Sequence, residues 1–365
     1  MNESKLIINE NCLLKINLNL IEFNYRRMLQ KISKSTILSA VLKSNSYGLG
    51  LKNITEKLIS SGCSFFFLNS LSEAIYIRKI SQKSELFLLN GVIDKNYIEI
   101  KKIFQHKISP VINSMEELEK IIDYKKGIKN DLNVSLHFDT GINRLGIEIS
   151  LAEQIKNLCK SNNLNIKCVM SHLIASDENT ALNKIQKKKF DRIIKFFPDS
   201  IHSLSNSNAI IKHKSLNYGM VRSGGNIFGL NSDEFRPVFS FFAKILQIKK
   251  AEELINHFGY NSTFKAKNIK KIAIIGVGYA DGYPRILSNL GEVFYIKKLP
   301  IIGSISMDYM MIDITNLNDD SMKVGNWVEL LGENIKIQDI AKKSKTIPYE
   351  ILINICSRAK KQYIG

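Results

Sequence analysis

An N-terminal (β/α)8 TIM-type barrel followed by a C-terminal, mostly β domain is the architecture this sequence predicts, and three observations predict it. From Ile37 to about Leu230, short apolar, β-branched runs alternate with longer amphipathic stretches, the pattern of strands and helices around a parallel sheet. After Phe239 the helical periodicity fades, and short strand-like runs are divided by Gly, Asn and Asp. No low-complexity linker or short internal repeat interrupts either stretch. The predicted division is therefore 1–238 for the barrel and 239–365 for the β domain, with the first residues free to join the latter.

Taken in order, the candidate strands are Ile37 to Leu42, Ser64 to Leu68, Glu85 to Leu89, Ile108 to Ile112, Leu132 to Phe138, Ile166 to Met170, Ile201 to Leu204 and Met220 to Leu230. Between them, stretches such as MEELEKIIDYKK and KIQKKKFDRIIKFF carry helical spacing. Eight strands alternating with helices suit a closed barrel, and an open doubly wound sheet is the competing arrangement on pattern alone. In the second domain IKKIAIIGVGYA, GEVFYI, LPIIGSISM and YMMIDIT read as short strands.

Composition narrows the function. The net charge of +18 comes from 52 Lys and Arg against 34 Asp and Glu, but the lysines are spread through nearly every segment rather than clustered. A solvated surface is expected, with no nucleic-acid partner. Five cysteines, Cys12, Cys63, Cys159, Cys168 and Cys356, are odd in number and form no CxxC pair, which suits a reducing compartment. The N-terminal run is broken by Asn, Lys and Glu, so it does not read as a signal peptide. No apolar run approaches the roughly 20 residues a membrane helix needs. The expectation is a soluble, cytoplasmic protein with no metal site.

One segment stands out chemically. Ala40-Val-Leu-Lys43-Ser-Asn-Ser-Tyr47-Gly-Leu-Gly50 puts a lysine where an apolar strand ends and a Gly-containing loop begins. In a barrel that is the active-site face. A desolvated lysine there can be a neutral amine, able to form a Schiff base or take a proton. A lysine snorkelling from a strand end is the plainer alternative.

The surrounding motifs favour the first. AVLKSNSYGLG closely resembles the lysine motif of the alanine racemases, and the resemblance recurs in order through HFDTGINRLG, SHLIASDE, HSLSNSNA, MVRSGGNIFGL, VGYADGYPR, SISMDYMMID and TIPYEILINI. It implies interconversion of L- and D-alanine with pyridoxal 5'-phosphate, supplying D-alanine for peptidoglycan. By the same resemblance Lys43 would carry the cofactor as a Schiff base and act as one base, and Tyr260 would be the opposed base. That tyrosine would come from the partner subunit of a homodimer. Arg222 would face the pyridine nitrogen, with His172 beside the ring in its support. Ser207, Gly224, Gly225, Tyr47 and Tyr349 would hold the phosphate. Arg144 and the Met307 N–H would bind the substrate carboxylate, and Tyr279, Asp308, Asp177 and Arg285 would line the entrance.

The sequence departs from the family at several places. His137 stands where many members have a lysine that is carbamylated to position the nearby arginine, so Arg144 needs another anion or the imidazole. Ser304 stands where an entrance arginine is usual, and Ser223 and Gly225 alter the phosphate turn. A racemase of another small amino acid such as serine, a related barrel decarboxylase, and a non-catalytic cofactor carrier are the alternatives. The paired GYADGYPR and SMDYM segments disfavour the decarboxylase, and the second domain disfavours the carrier.

Overall fold

A computed structural model describes residues 8–93, 97–127, 132–250, 256–317 and 321–365. Contacts divide the chain into two units. Strand β1 (Asn9–Asn17) belongs to the second, together with Tyr47–Leu49 and Arg236–Gly365; the first holds Ile21–Ser46 and Gly50–Phe235.

The first unit is built on β2 (Ile37–Val41), β3 (Phe65–Leu68), β4 (Glu85–Leu88), β5 (Ile108–Ile112), β6 (Leu132–His137), β7 (Leu164–Met170), β8 (Ile201–Ser203) and β9 (Met220–Ser223). Strands β2 to β8 lie parallel in sequential order, and β9 adds to the other edge beside β2. A parallel bridge between Asn206 and Arg222, with Arg222 N–H donating to Ser205 O at 3.0 Å, brings the two ends together. The sheet is thus a near-closed barrel, not an open one. Phe67, Phe87, Val111, Cys168, Met170 and Met220, drawn from five strands, form one buried cluster, which only the inside of a closed barrel allows. Phe67 and Phe87 stack at 4.5 Å and 13°. Each buried phenyl contributes roughly 1.5–3 kcal/mol by leaving water.

Capping explains where several helices begin. Ser70 Oγ accepts the Glu73 N–H while Glu73 returns a carboxylate oxygen to the Ser70 N–H, starting Leu71–Ile80; Ser114 caps Met115–Lys125 through the Glu117 N–H. Arg78 is buried and donates to five carbonyls, those of Ser81, Gln82, Ser84, His106 and Lys107, tying together the turns that follow two helices. The expected strand from Met220 to Leu230 ends at Ser223. Two consecutive glycines weaken an extended run, and the carbonyls of Gly224 and Gly225 instead accept the Ile227 and Phe228 N–H groups in tight turns.

The second unit contains β1, β10 (Phe239–Lys250), β11 (His257–Phe258), β12 (Phe264–Lys265), β13 (Lys271–Ile275), β14 (Glu292–Phe294), β15 (Lys298–Ile302), β16 (Met310–Asp313), β17 (Trp327–Leu331) and β18 (Ala359–Ile364). Alternate residues Phe239, Phe241, Ala243 and Ile245 of β10 are buried, the period of a half-buried strand. The sheet runs β13-β16-β15-β14-β17-β10-β1-β18, and the far half of β10 also pairs with β13, closing six strands on themselves. All five cysteines are free and buried. Among the described residues no helix is long and apolar enough to cross a membrane.

Candidate active site at the barrel mouth

Strand β2 delivers Lys43 to the C-terminal end of the barrel, and the backbone beyond it is unusual. Ser44, Asn45 and Ser46 take left-handed φ/ψ of 55/50, 54/47 and 54/53, and Tyr47 follows at φ 57. Each such non-glycine residue costs about 1–2 kcal/mol. The turn persists because it is pinned. The Asn45 N–H donates to Glu73 Oε1 at 2.7 Å, Asn45 Oδ1 accepts the Leu51 N–H at 2.7 Å, and the Ser46 N–H donates to Leu42 O at 2.9 Å. Strain held this firmly marks a functional segment. Lys43 itself opens onto the mouth and makes no hydrogen bond among the described residues. Loss of solvation first, and then the charge of Arg144, hold its pKa below the usual lysine value.

The loop after β6 carries Arg144. Asp139 Oδ1 accepts the N–H groups of Gly141 and Ile142 at 2.8 and 2.9 Å, an Asx turn. The loop closes at its base, where Ile147 N–H donates to His137 O at 2.7 Å and Asp139 N–H to Ile147 O at 3.0 Å. Gly146 sits at φ 132, where a Cβ would come within 2.6 Å of the Asp139 nitrogen, so glycine is required. Arg144 is exposed and has no ion-pair partner among the described residues. His137, at the end of β6, is buried, and its Nδ1 lies 2.9 Å from Asn113 Oδ1. Burial and then Arg222 lower its pKa to about 4. Glu117, whose carboxylate accepts the Asn113 N–H at 3.1 Å, is pushed up to about 7 by burial.

Arg222 lies on β9 with its guanidinium buried. Nη1 donates to Ser203 O and Oγ at 2.9 and 2.7 Å, and Nη2 donates to Ser171 O at 2.6 Å. It has no carboxylate partner among the described residues, and burial lowers its pKa only to about 10, so it stays charged at neutral pH. Among the described residues the His172 imidazole makes no hydrogen bond to Arg222, whose guanidinium is held by two backbone carbonyls and the Ser203 hydroxyl. Burial, then Arg222, Arg144, His137 and Lys43, lower the His172 pKa to about 3, so a neutral ring sits among cations.

Ser207 and Gly224 are brought together, Ser207 Oγ accepting the Gly224 N–H at 2.9 Å, with Gly225 next in the turn. Asn226 Nδ2 donates to Ser207 O at 2.7 Å, and the buried hydroxyls of Ser205 and Ser223 have no partner among the described residues. Asp177 is exposed on the loop after β7, its carbonyl accepting Lys212 Nζ at 2.5 Å.

The remaining expected residues belong to the β unit. Tyr47 packs on Tyr349 with ring centroids 5.8 Å apart. Tyr260 is 66% exposed, on a short turn after Gly259, and Ser304 Oγ anchors the turn by donating to Tyr260 O at 3.3 Å while meeting Thr263 Oγ1 at 2.9 Å. Tyr279 and Met307 are joined because Tyr279 N–H donates to Ser306 O and Ala280 N–H to Met307 O, both at 3.0 Å. The Met307 N–H has no partner among the described residues. Gly278 allows this approach, since a Cβ there would lie 2.2 Å from Met307 O. Asp308 is held by Arg358 at 3.0 Å, and Arg285 is exposed.

Sequence reasoning missed the groups that orient the mouth. Gln186 is buried; its Nε2 donates to His172 O at 2.9 Å and Thr140 Oγ1 at 3.1 Å, and its Oε1 accepts the Ile174 N–H. Thr140 in turn meets Ser171 Oγ at 2.7 Å. A glutamine among the lysines of a helix gives no signal of this. The Asp139-Thr-Gly turn was available to a turn-based reading.

The family model of the alanine racemase N-terminal domain matches residues 16–232, and that of the C-terminal domain matches 238–363. The alanine racemase of Rickettsia africae is 36% identical over 361 residues, covering 97% of this chain and 99% of the relative. The crystal structure of the Bartonella henselae alanine racemase with covalently bound pyridoxal phosphate superposes with TM-score 0.90 at 30% identity, covering 98% of this chain and all of that one. The Acinetobacter baumannii alanine racemase structure is similar at TM-score 0.83 and 28% identity over 97% of this chain and 99% of its own. The chain belongs to the alanine racemase family.

Proposed function

We propose that the protein interconverts L- and D-alanine by a two-base mechanism, with pyridoxal 5'-phosphate held at the barrel mouth. The observation that carries the reading is the buried, anion-free guanidinium of Arg222, fixed at the same mouth as an unpartnered Lys43 of lowered pKa. A cation of that kind asks for an uncharged acceptor such as a pyridine nitrogen. The two buried hydroxyls of Ser205 and Ser223, beside Ser207 and Gly224, suit a phosphate as neutral donors. The residues present therefore fit the cofactor.

When bound, pyridoxal phosphate supplies an aldehyde for an amine and a ring that draws electrons from the substrate Cα. Lys43 would hold the cofactor through its amine, and its Nζ would take or return the Cα proton on one face. Its lowered pKa keeps a larger share of that amine neutral. Tyr260 Oη holds the proton on the other face. Arg222 donates an N–H yet keeps its own proton, since its pKa of about 10 lies well above neutrality. Held against Arg222, a ring nitrogen would receive a hydrogen bond but no proton, which would limit electron withdrawal and favour return of a proton to Cα. Arg144 and the free Met307 N–H bind the carboxylate and orient Cα between the two bases.

The exposure of Tyr260, together with Tyr279 and Met307 at 42% and 54%, supports a homodimer in which each β unit completes its partner's site. Tyr260→Phe is expected to lower kcat/KM by about 10^2-fold or more, equally in both directions because the enantiomers interconvert with an equilibrium constant of one, with cofactor absorbance unchanged. Mixing Lys43→Ala with Tyr260→Phe protein, after dissociation and reassociation, should restore activity above either parent. A mixture no more active than its parents contradicts the shared site. Polarimetric assay of alanine against serine tests the substrate: turnover of serine at the alanine rate selects the broad racemase, and turnover of neither selects the carrier.

A further inference from the structure

We infer that His137 is a positioning residue for substrate binding: its Nε2 lone pair accepts an N–H of Arg144 and fixes that guanidinium toward the substrate carboxylate. The inference rests on the reading of Arg144 as the carboxylate-binding group.

The protonation of the ring is set by its neighbours. Asn113 donates its amide hydrogens to Leu89 O at 3.2 Å and Val111 O at 2.8 Å, so its Oδ1 is left to accept. His137 Nδ1 lies 2.9 Å from that oxygen and must therefore carry the ring proton. A neutral imidazole protonated at Nδ1 presents a bare lone pair at Nε2. His137 is only 6% exposed, and this Nε2 has no partner in the structure. A buried acceptor of this kind calls for a donor.

Arg144 is the donor within reach of the chain. Its loop leaves and returns at His137, because Ile147 N–H binds the His137 carbonyl at 2.7 Å. Arg144 makes no hydrogen bond or ion pair among the described residues, so all five of its N–H groups are available. Arg222, the other cation near the ring, has three N–H bonds committed to Ser203 and Ser171. Asp139, the carboxylate that precedes Arg144 on the loop, already takes two backbone N–H groups on Oδ1. Burial and the two arginines keep the imidazole neutral, which preserves the lone pair.

Two substitutions separate the ring's two edges. Asparagine at 137 keeps a donor for Asn113 Oδ1 but does not reach the place of Nε2; glutamine sets an amide oxygen there. His137→Asn is expected to raise KM for alanine about tenfold or more while kcat changes by less than about threefold, the signature of lost binding, and His137→Gln to recover most of the loss. An unchanged KM in His137→Asn, or no recovery in His137→Gln, overturns the inference. Arg144→Ala distinguishes the two levels of the argument. If it leaves KM unaltered, the reading of Arg144 fails; if it raises KM while His137→Asn does not, only the pairing fails. Independently of turnover, 15N-histidine spectra of the whole protein at pH 7 should show His137 neutral and protonated at Nδ1, its signals assigned by their loss in His137→Gln. Protonation at Nε2 overturns the inference.

Discussion

Lys43→Ala is expected to lower racemisation by more than about 10^4-fold, because under the proposed mechanism one substitution would remove both the point of cofactor attachment and one of the two proton-handling groups. The fold should survive it. Lys43 opens onto the mouth, and the left-handed turn that follows is held by Asn45, Glu73 and Ser46, not by the lysine. Visible absorbance of the purified variant should fall to that of free or absent cofactor, while its thermal midpoint measured without cofactor stays within about 2 °C of the parent. A small primary amine added to the variant should restore part of the activity, since the missing group is a neutral amine. Lys43→Arg should not help: a guanidinium is charged at every working pH and cannot act as that amine. A Lys43→Ala protein that keeps even one hundredth of the parent rate would remove the lysine from the chemistry.

Much of this was legible in the sequence, and Lys43 shows why. A strand end and a Gly-containing loop are local features, so the barrel position of the lysine followed from periodicity and turn residues alone. The eight strands were legible for the same reason, with boundaries off by one or two residues. Met220 to Leu230 was the exception, because the apolar residues Ile227, Phe228 and Leu230 are buried from a turn as readily as from a strand. What the sequence could not carry was the direction of hydrogen bonds between distant segments. Arg222 was recognisable from its motif, yet the carbonyl that holds its guanidinium belongs to Ser171, 51 positions away. Asn113 lies 24 positions from the histidine whose proton it places. Ser304 read as a lost charge, whereas in the structure its hydroxyl anchors the turn that presents Tyr260.

The second large effect expected is acid destabilisation, which follows from keeping two histidines neutral among cations. His137 and His172 have folded-state pKa values of about 4 and about 3, against 6.5 for an unfolded histidine. As pH falls below about 6.5 the unfolded chain binds two protons that the folded chain does not, so stability falls with pH by about 1.4 kcal/mol per unit for each histidine. Glu117 opposes this. Its folded pKa of about 7 lies above the unfolded 4.5, so the folded chain binds one extra proton between those values and gains stability as pH falls. One histidine is thereby offset, and the net loss from pH 6.5 to 4.5 is about 3 kcal/mol. Below pH 4.5 Glu117 is protonated in both states and both histidine contributions act together. The slope should therefore steepen between pH 4.5 and 4, then ease as His137 and finally His172 become protonated in the folded chain. Urea unfolding of the cofactor-free protein at half-unit steps from pH 7 to 4 measures this directly. Glu117→Gln should deepen the loss above pH 4.5, and His172→Gln should reduce it by one proton's worth. A stability profile flat from pH 6.5 to 4.5 in both the parent and Glu117→Gln would mean that the mouth admits charged imidazoles, and the electrostatic reading of the site would have to be abandoned.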